Sequence, residues 1–84
     1  MLRFRVRLLS VRAYVMIVAK PGTSEDVVNT IRKVKGVVKA DSVYGRFDAI
    51  VTIEAPDVGA LSKVVYDMIE KTPNIVHTET ALTL

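Results

Sequence analysis

An internal repeat constrains the fold of this chain more than any other feature. The segment Ala13–Ala19, with Pro21 soon after it, resembles the segment Ala49–Ala55, which Pro56 follows directly. Apolar residues at helical spacing come next in each half, at an offset of 35 to 37 residues: Val27, Val28 and Ile31, then Val64, Val65 and Met68. A strand–helix–strand unit that occurs twice predicts an α+β, ferredoxin-like βαββαβ sandwich, in which two helices cover one face of a four-stranded antiparallel sheet.

Helix-capping and helix-breaking residues indicate where the elements begin and end. Thr23 or Ser24 is expected to cap the first helix, and Gly36 to end it after a basic last turn. Asp57 is expected to cap the second helix, which the sequence Thr72–Asn74 terminates. The predicted strands are Arg12–Ala19, Val37–Tyr44, Phe47–Ala55 and Ile75–Leu84.

The first predicted strand is apolar on both of its faces. One face carries Ala13, Val15, Ile17 and Ala19, and the other carries Tyr14, Met16 and Val18. Helices cover only one side of such a sheet, so the uncovered side would expose a large apolar patch. A chain of 84 residues is also short for a self-sufficient core. We therefore expect a homodimer that stacks sheet against sheet, with any interface pocket present twice.

The first ten residues, MLRFRVRLLS, alternate apolar side chains with Arg3, Arg5 and Arg7. This period of two favours an amphipathic strand, with an unstructured arm or a basic arm for nucleic acid as alternatives. Without these three arginines, nine basic residues face nine acidic ones over residues 11–84. The main domain is therefore neutral, which is unfavourable for direct binding of nucleic acid.

Several classes of site lack the residues they need. The chain has no cysteine and a single histidine, His77, so an ordinary structural zinc site and a catalytic triad have no ligands or partners to use. Its four glycines stand alone, so no phosphate-binding glycine loop is present. No apolar run approaches the ~18–20 residues of a membrane span. We expect no metal, cofactor or membrane contact, and a reducing cytoplasm is compatible with this composition.

The stretch Val43–Ile50 joins two apolar strand-like segments. Gly45 can adopt the positive φ that the first central position of a two-residue hairpin requires, so Gly45-Arg46 predicts a tight turn. Such a turn would bring Tyr44 and Phe47 opposite each other. The simplest interpretation is a plain hairpin whose aspartate, Asp48, is solvated.

A second interpretation makes this hairpin part of a ligand site. Asp48 follows an aromatic residue at the start of an apolar strand, where a carboxylate can hold an ammonium group or anchor the hairpin backbone. The N–H groups of the turn can hold a carboxylate, and an amino acid carries both groups. Thr78 and Thr80, on the opposite strand face from His77, could add hydroxyl donors. His77 itself is expected to be a surface or interface residue.

The motif Tyr44-Gly45-Arg46-Phe47-Asp48 is similar to the glycine–x–aromatic–Asp hairpin of the Lrp/AsnC (leucine-responsive regulator) family. It resembles the C-terminal domain of that family, often called RAM. The opening strand, Ala13–Ile17, and the closing segment, Pro73–Thr80, resemble the same domain. The likeness covers residues 11–84 and leaves residues 1–10 as an N-terminal extension without a counterpart.

This resemblance implies a ferredoxin-like domain that dimerises through its sheet, often forms rings of dimers, and binds amino-acid effectors between subunits. The implied ligand-binding residues are Tyr44, Gly45, Arg46, Phe47, Asp48, Thr78 and Thr80, with Arg46 at the unspecified position of the motif. The chain has no helix-turn-helix, so the resemblance implies a stand-alone effector domain that does not bind DNA by itself. It would act as a homo-oligomer or together with DNA-binding relatives.

Two other functions remain as alternatives. The first is a small dimeric enzyme of the cofactor-free monooxygenase type, for which only His77 and the tyrosines could equip a pocket. The second is a pure oligomerisation module that tunes the assembly of a partner and binds nothing small.

Overall fold

The computed structural model describes residues 10–83. Its elements are β1 (Val11–Ala19), α1 (Ser24–Ile31), β2 (Val37–Ser42), β3 (Ala49–Ala55), α2 (Val58–Lys71) and β4 (Ile75–Leu82). This order confirms the predicted βαββαβ topology. The predicted N-terminal extension, apart from Ser10, and the last residue of the fourth strand, Leu84, lie outside the described residues.

The four strands form one antiparallel sheet in the order β2-β3-β1-β4. In the centre of the sheet, Val15 of β1 lies opposite Val51 of β3 and, on its other side, opposite Thr80 of β4. The two repeated segments are therefore the two central strands. Their similarity follows from this position, because both central strands pack against the same layer of helices.

The core lies between the sheet and the two helices. Alternate residues of the central strands are completely buried: Ala13, Val15, Ile17, Ala49, Val51 and Ile53. Both helices pack onto this face, with Val27, Val28 and Ile31 from α1 and Leu61 and Met68 from α2. The apolar residues at helical spacing thus point to the sheet, as their period predicts.

The first helix is shorter than predicted, because it ends at Ile31 and not at Gly36. After it, the Lys33 N–H donates to the carbonyl of Thr30 and the Val34 N–H to the carbonyl of Ile31, so the chain tightens into turns of the 3₁₀ type. The guanidinium of Arg32 donates to the carbonyl of Ala40 at 2.8 Å, which ties this turn to β2. The chain therefore leaves the α-helix at Arg32 and reaches β2 through these turns.

The two helix starts differ in their caps. The Asp57 carboxylate accepts a hydrogen bond from the Ala60 N–H at 2.7 Å, which confirms the predicted cap of α2. Thr23 occupies the cap position of α1, but its side chain makes no capping bond. Its hydroxyl instead donates to the carbonyl of Lys20 at 2.7 Å, and so it stabilises the turn that precedes the helix.

Candidate functional site

The loop between β2 and β3 is wider than the predicted two-residue turn. β2 ends at Ser42 and β3 begins at Ala49. The Val43 N–H donates to the carbonyl of Asp48 at 3.0 Å, so four residues lie between the closing pair. Gly45 has a φ of +131°, in the region that favours glycine. The prediction of a tight Gly45-Arg46 turn is therefore wrong. The prediction that Gly45 adopts a positive φ is confirmed.

Asp48 holds this loop to the central strand β1. Its backbone N–H donates to the carbonyl of Ile17 at 2.8 Å, and its Oδ2 accepts a hydrogen bond from the Ala19 N–H at 2.8 Å. The residue is half-buried. Its carboxylate is thus fixed in position, and Oδ1 accepts no hydrogen bond from another residue of the described chain.

The tip of the loop presents hydrogen-bond donors beside this carboxylate. The backbone N–H groups of residues 44–47 donate to no partner within residues 10–83. The Arg46 guanidinium lies 5.7 Å from the centre of the Phe47 ring, which is within the range of a cation–π contact. Tyr44 is fully exposed. The loop therefore combines one fixed anion with a cation, exposed N–H donors and two aromatic rings.

An open cavity of about 280 Å³ lies between this loop and the start of α1. Tyr44, Val43 and Ser42 line it on one side, and Ser24 and Glu25 line it on the other. The sequence assigned Ser24 and Glu25 only to a helix start. The predicted topology could have placed them near the loop. The chain runs from β1 into the start of α1, and β1 lies beside β3, which follows the loop. Gly45, Arg46, Phe47 and Asp48 do not line this cavity.

Thr78 and Thr80 lie on the other side of the central strand from the loop. Thr78 is opposite Ile17 and Thr80 is opposite Val15, both on β1. Since β1 separates β4 from β3, Thr78 is about 10 Å from Asp48, which precedes β3, and Thr80 is farther from Asp48. One protomer therefore brings together the five loop residues of the predicted site but not the two threonines.

The face of the sheet that carries no helix has an apolar centre. Tyr14 and Ile50 are 38% and 37% exposed, and Met16 and Val18 beside them are half-buried. All four belong to the two central strands β1 and β3. We call these four residues the outer apolar patch. Its exposure fits the expectation that this side of the sheet is left uncovered within a single chain.

Charged pairs surround the outer apolar patch. Two pairs lie on the edge strands β2 and β4, and one lies toward the end of the central strands: Lys39–Asp41, His77–Glu79 and Arg12–Glu54. In the third pair the Arg12 Nε donates to Glu54 Oε2 at 2.8 Å. The hydrogen bond with Glu54 is the main reason why the pKa of Arg12 is raised.

Metal sites and membrane-spanning helices are both absent from residues 10–83. No three metal-ligating side chains lie together in this part of the chain. The two helices of the described residues are not long and apolar enough to cross a membrane.

Three solved structures resemble the fold. The hypothetical protein PHS023 from Pyrococcus horikoshii is 28% identical with a TM-score of 0.80, over 88% of this chain and 89% of that one. TTHA0845 from Thermus thermophilus is 26% identical with a TM-score of 0.81, over 88% and 92%. The transcriptional regulator NMB0573 from Neisseria meningitidis, in complex with L-Met, is 18% identical with a TM-score of 0.78. That match covers 95% of this chain and 53% of the regulator, so this chain spans about half of its length.

A comparison with protein families gives a more specific result than the fold alone. No protein with a curated description matches this chain. The family model described as the Lrp/AsnC ligand binding domain matches residues 12–84, which include the loop and all six elements except Val11, the first residue of β1. The chain therefore belongs to the Lrp/AsnC ligand-binding domain family.

Proposed function

We propose that this protein is a regulatory module that binds an amino acid at the β2–β3 loop. It acts as a homodimer or a ring of dimers, alone or together with DNA-binding relatives of the Lrp/AsnC family. Its role is recognition and not catalysis, and its place of action is the cytoplasm, where transcription is controlled. The observation that carries this proposal is the Asp48 carboxylate, hydrogen-bonded to β1 beside loop N–H groups that have no partner within residues 10–83.

The two charged groups of an amino acid find complementary partners at this loop. The ammonium group pairs with Asp48 Oδ1, since Oδ2 is occupied by the Ala19 N–H. The carboxylate accepts hydrogen bonds from the N–H groups of the loop and from Arg46. The side chain packs against Tyr44 and Phe47. The L-Met bound to the regulator of similar fold supports an amino acid as the class of ligand.

A second copy of the chain covers the open face of the sheet. The outer apolar patch with its charged surroundings supports this interface, because apolar centres with polar rims are typical of protein–protein contacts. The proposed dimer stacks the two sheets at this patch. Thr78 and Thr80 lie opposite the buried Ile17 and Val15, on the helix side of the sheet, so they reach a bound ligand only at a contact with another copy outside the stacked sheets.

Isothermal titration calorimetry with each of the twenty amino acids tests this function. We expect saturable heat with at least one of them. The decisive variant is Asp48→Asn, because asparagine keeps an oxygen to accept the Ala19 N–H but removes the charge that holds an ammonium group. Loss of one charge-assisted hydrogen bond should weaken binding by about tenfold to a hundredfold.

The matched control is Asp41→Asn, on β2 just before the loop, where the aspartate pairs with Lys39 at 3.6 Å. We expect this variant to bind like the unmodified protein. The absence of heat with all twenty amino acids would contradict the proposal. So would an Asp48→Asn protein that is folded by circular dichroism and binds with unchanged affinity.

A further inference from the structure

A second cleft lies at the far end of the sheet from the β2–β3 loop. It has a volume of about 450 Å³, within the range of small-molecule sites, and it is larger than the cavity at the loop. The turn after α1, the end of β3 and the first half of α2 form its walls. Glu54, at this end of β3, is six residues beyond Asp48, so the two sites are roughly 20 Å apart.

The walls of this cleft are held in place by the fold. The Glu54 N–H donates to the carbonyl of Gly36 at 3.1 Å, which fixes the turn against β3. Gly36 has a φ of +100°, and a Cβ at this position would lie 2.7 Å from Val64 Cγ2. The backbone of the turn therefore touches α2 directly. A ligand would find this cleft already formed.

The charged side chains of the cleft favour a ligand that carries a single negative charge. Lys35 and Lys63 both line it, and neither forms an ion pair with any residue of the described range 10–83. The Glu54 carboxylate is already paired with Arg12. Asp67 is the remaining carboxylate at the cleft, and it has no ion-pair partner within the same range. Two cations against one anion leave an excess of one positive charge.

The remaining lining is small and apolar. Ala55 and Pro56 follow the end of β3, and Ala60 and Val64 face the cleft from α2. These side chains offer a surface for a hydrocarbon group, whereas the two ammonium groups offer partners for a carboxylate. Asp67 would repel a second negative charge on the same ligand.

We propose that this cleft binds a small hydrophobic monocarboxylate, with its carboxylate between Lys35 and Lys63 and its apolar body against Ala60 and Val64. The site is distinct from the amino-acid site proposed at the loop, because it shares no lining residue with it. Binding here requires no ammonium group on the ligand. The two sites therefore take different classes of ligand, a monocarboxylate at the cleft and an amino acid at the loop.

Methyl NMR spectra of the alanine- and valine-labelled protein test this site, since the Ala60 and Val64 methyl groups lie at the cleft. The probe is phenylacetate, and its neutral counterpart is phenylacetamide. We expect saturable shifts of these two methyl signals with phenylacetate and at least about tenfold weaker binding of the amide. The Asp48→Asn variant should bind phenylacetate like the unmodified protein, whatever its response to amino acids.

The double variant Lys35→Gln/Lys63→Gln should weaken phenylacetate binding by about tenfold or more. Its matched control is Lys33→Gln/Lys71→Gln, which removes two exposed lysines that do not line the cleft and should leave binding unchanged. The proposal is overturned if phenylacetate moves neither methyl signal, if the amide binds as tightly, or if both double variants bind equally well.

Discussion

At the scale of single residues, Gly36 allows the turn after α1 to pack closely against α2, because glycine has no side chain. Its φ of +100° disfavours any side chain, and a Cβ would lie 2.7 Å from Val64 Cγ2. We predict that Gly36→Ala lowers the free energy of unfolding by about 2–4 kcal/mol, the sum of a backbone and an overpacking cost. Urea denaturation at one fixed protomer concentration measures this loss.

Gly22 provides the matched control for this substitution. It also has a positive φ, of +81°, but no atom lies within 4 Å of the place where its Cβ would be. Gly22→Ala should therefore cost only the backbone part, about 1 kcal/mol. Equal losses for the two variants would show that the contact with Val64 does not contribute.

At the scale of secondary-structure elements, the two helix caps allow a direct comparison. The Asp57 carboxylate caps α2 through the Ala60 N–H, whereas the Thr23 side chain makes no capping bond to α1. We predict that Asp57→Ala lowers the free energy of unfolding by about 1 kcal/mol and that Thr23→Ala lowers it by less. Urea denaturation of both variants checks the order, and a larger loss for Thr23→Ala would contradict it.

The elements themselves could be predicted from the sequence, but the end of α1 and the width of the β2–β3 loop could not. The repeat and the period of the apolar residues placed all four strands and both helices. At both places the structure has hydrogen bonds between residues apart in the sequence: Arg32 to Ala40, and Asp48 to Ile17 and Ala19. Local sequence carries no sign of these contacts, so it predicted a longer helix and a tighter turn.

The same limit applies to the candidate site. The five loop residues are contiguous, so the sequence could place them together. Ser24 and Glu25 join the cavity at the loop only because β1 and β3 are neighbours in the sheet. Lys35 and Lys63 both line the second cleft, where the turn that carries Gly36 packs against α2, and no pattern in the sequence predicted this arrangement.

At the scale of the whole molecule, the outer apolar patch is a surface that a single chain does not cover. Its four residues lie on the two central strands, and charged pairs surround them on the edge strands. Placing a carboxylate at the patch should oppose association, because burial of an unpaired charge is costly. Ile50→Glu is the test variant, and Val58→Glu, at the exposed start of α2, is its control.

Sedimentation velocity at micromolar protomer concentration tests the proposed assembly most directly. We expect the unmodified protein and Val58→Glu to sediment as a dimer or a multiple of two chains of 9.3 kDa each, and Ile50→Glu to sediment as a smaller species. A folded, unmodified protein that remains a monomer under these conditions would rule out the proposed dimer.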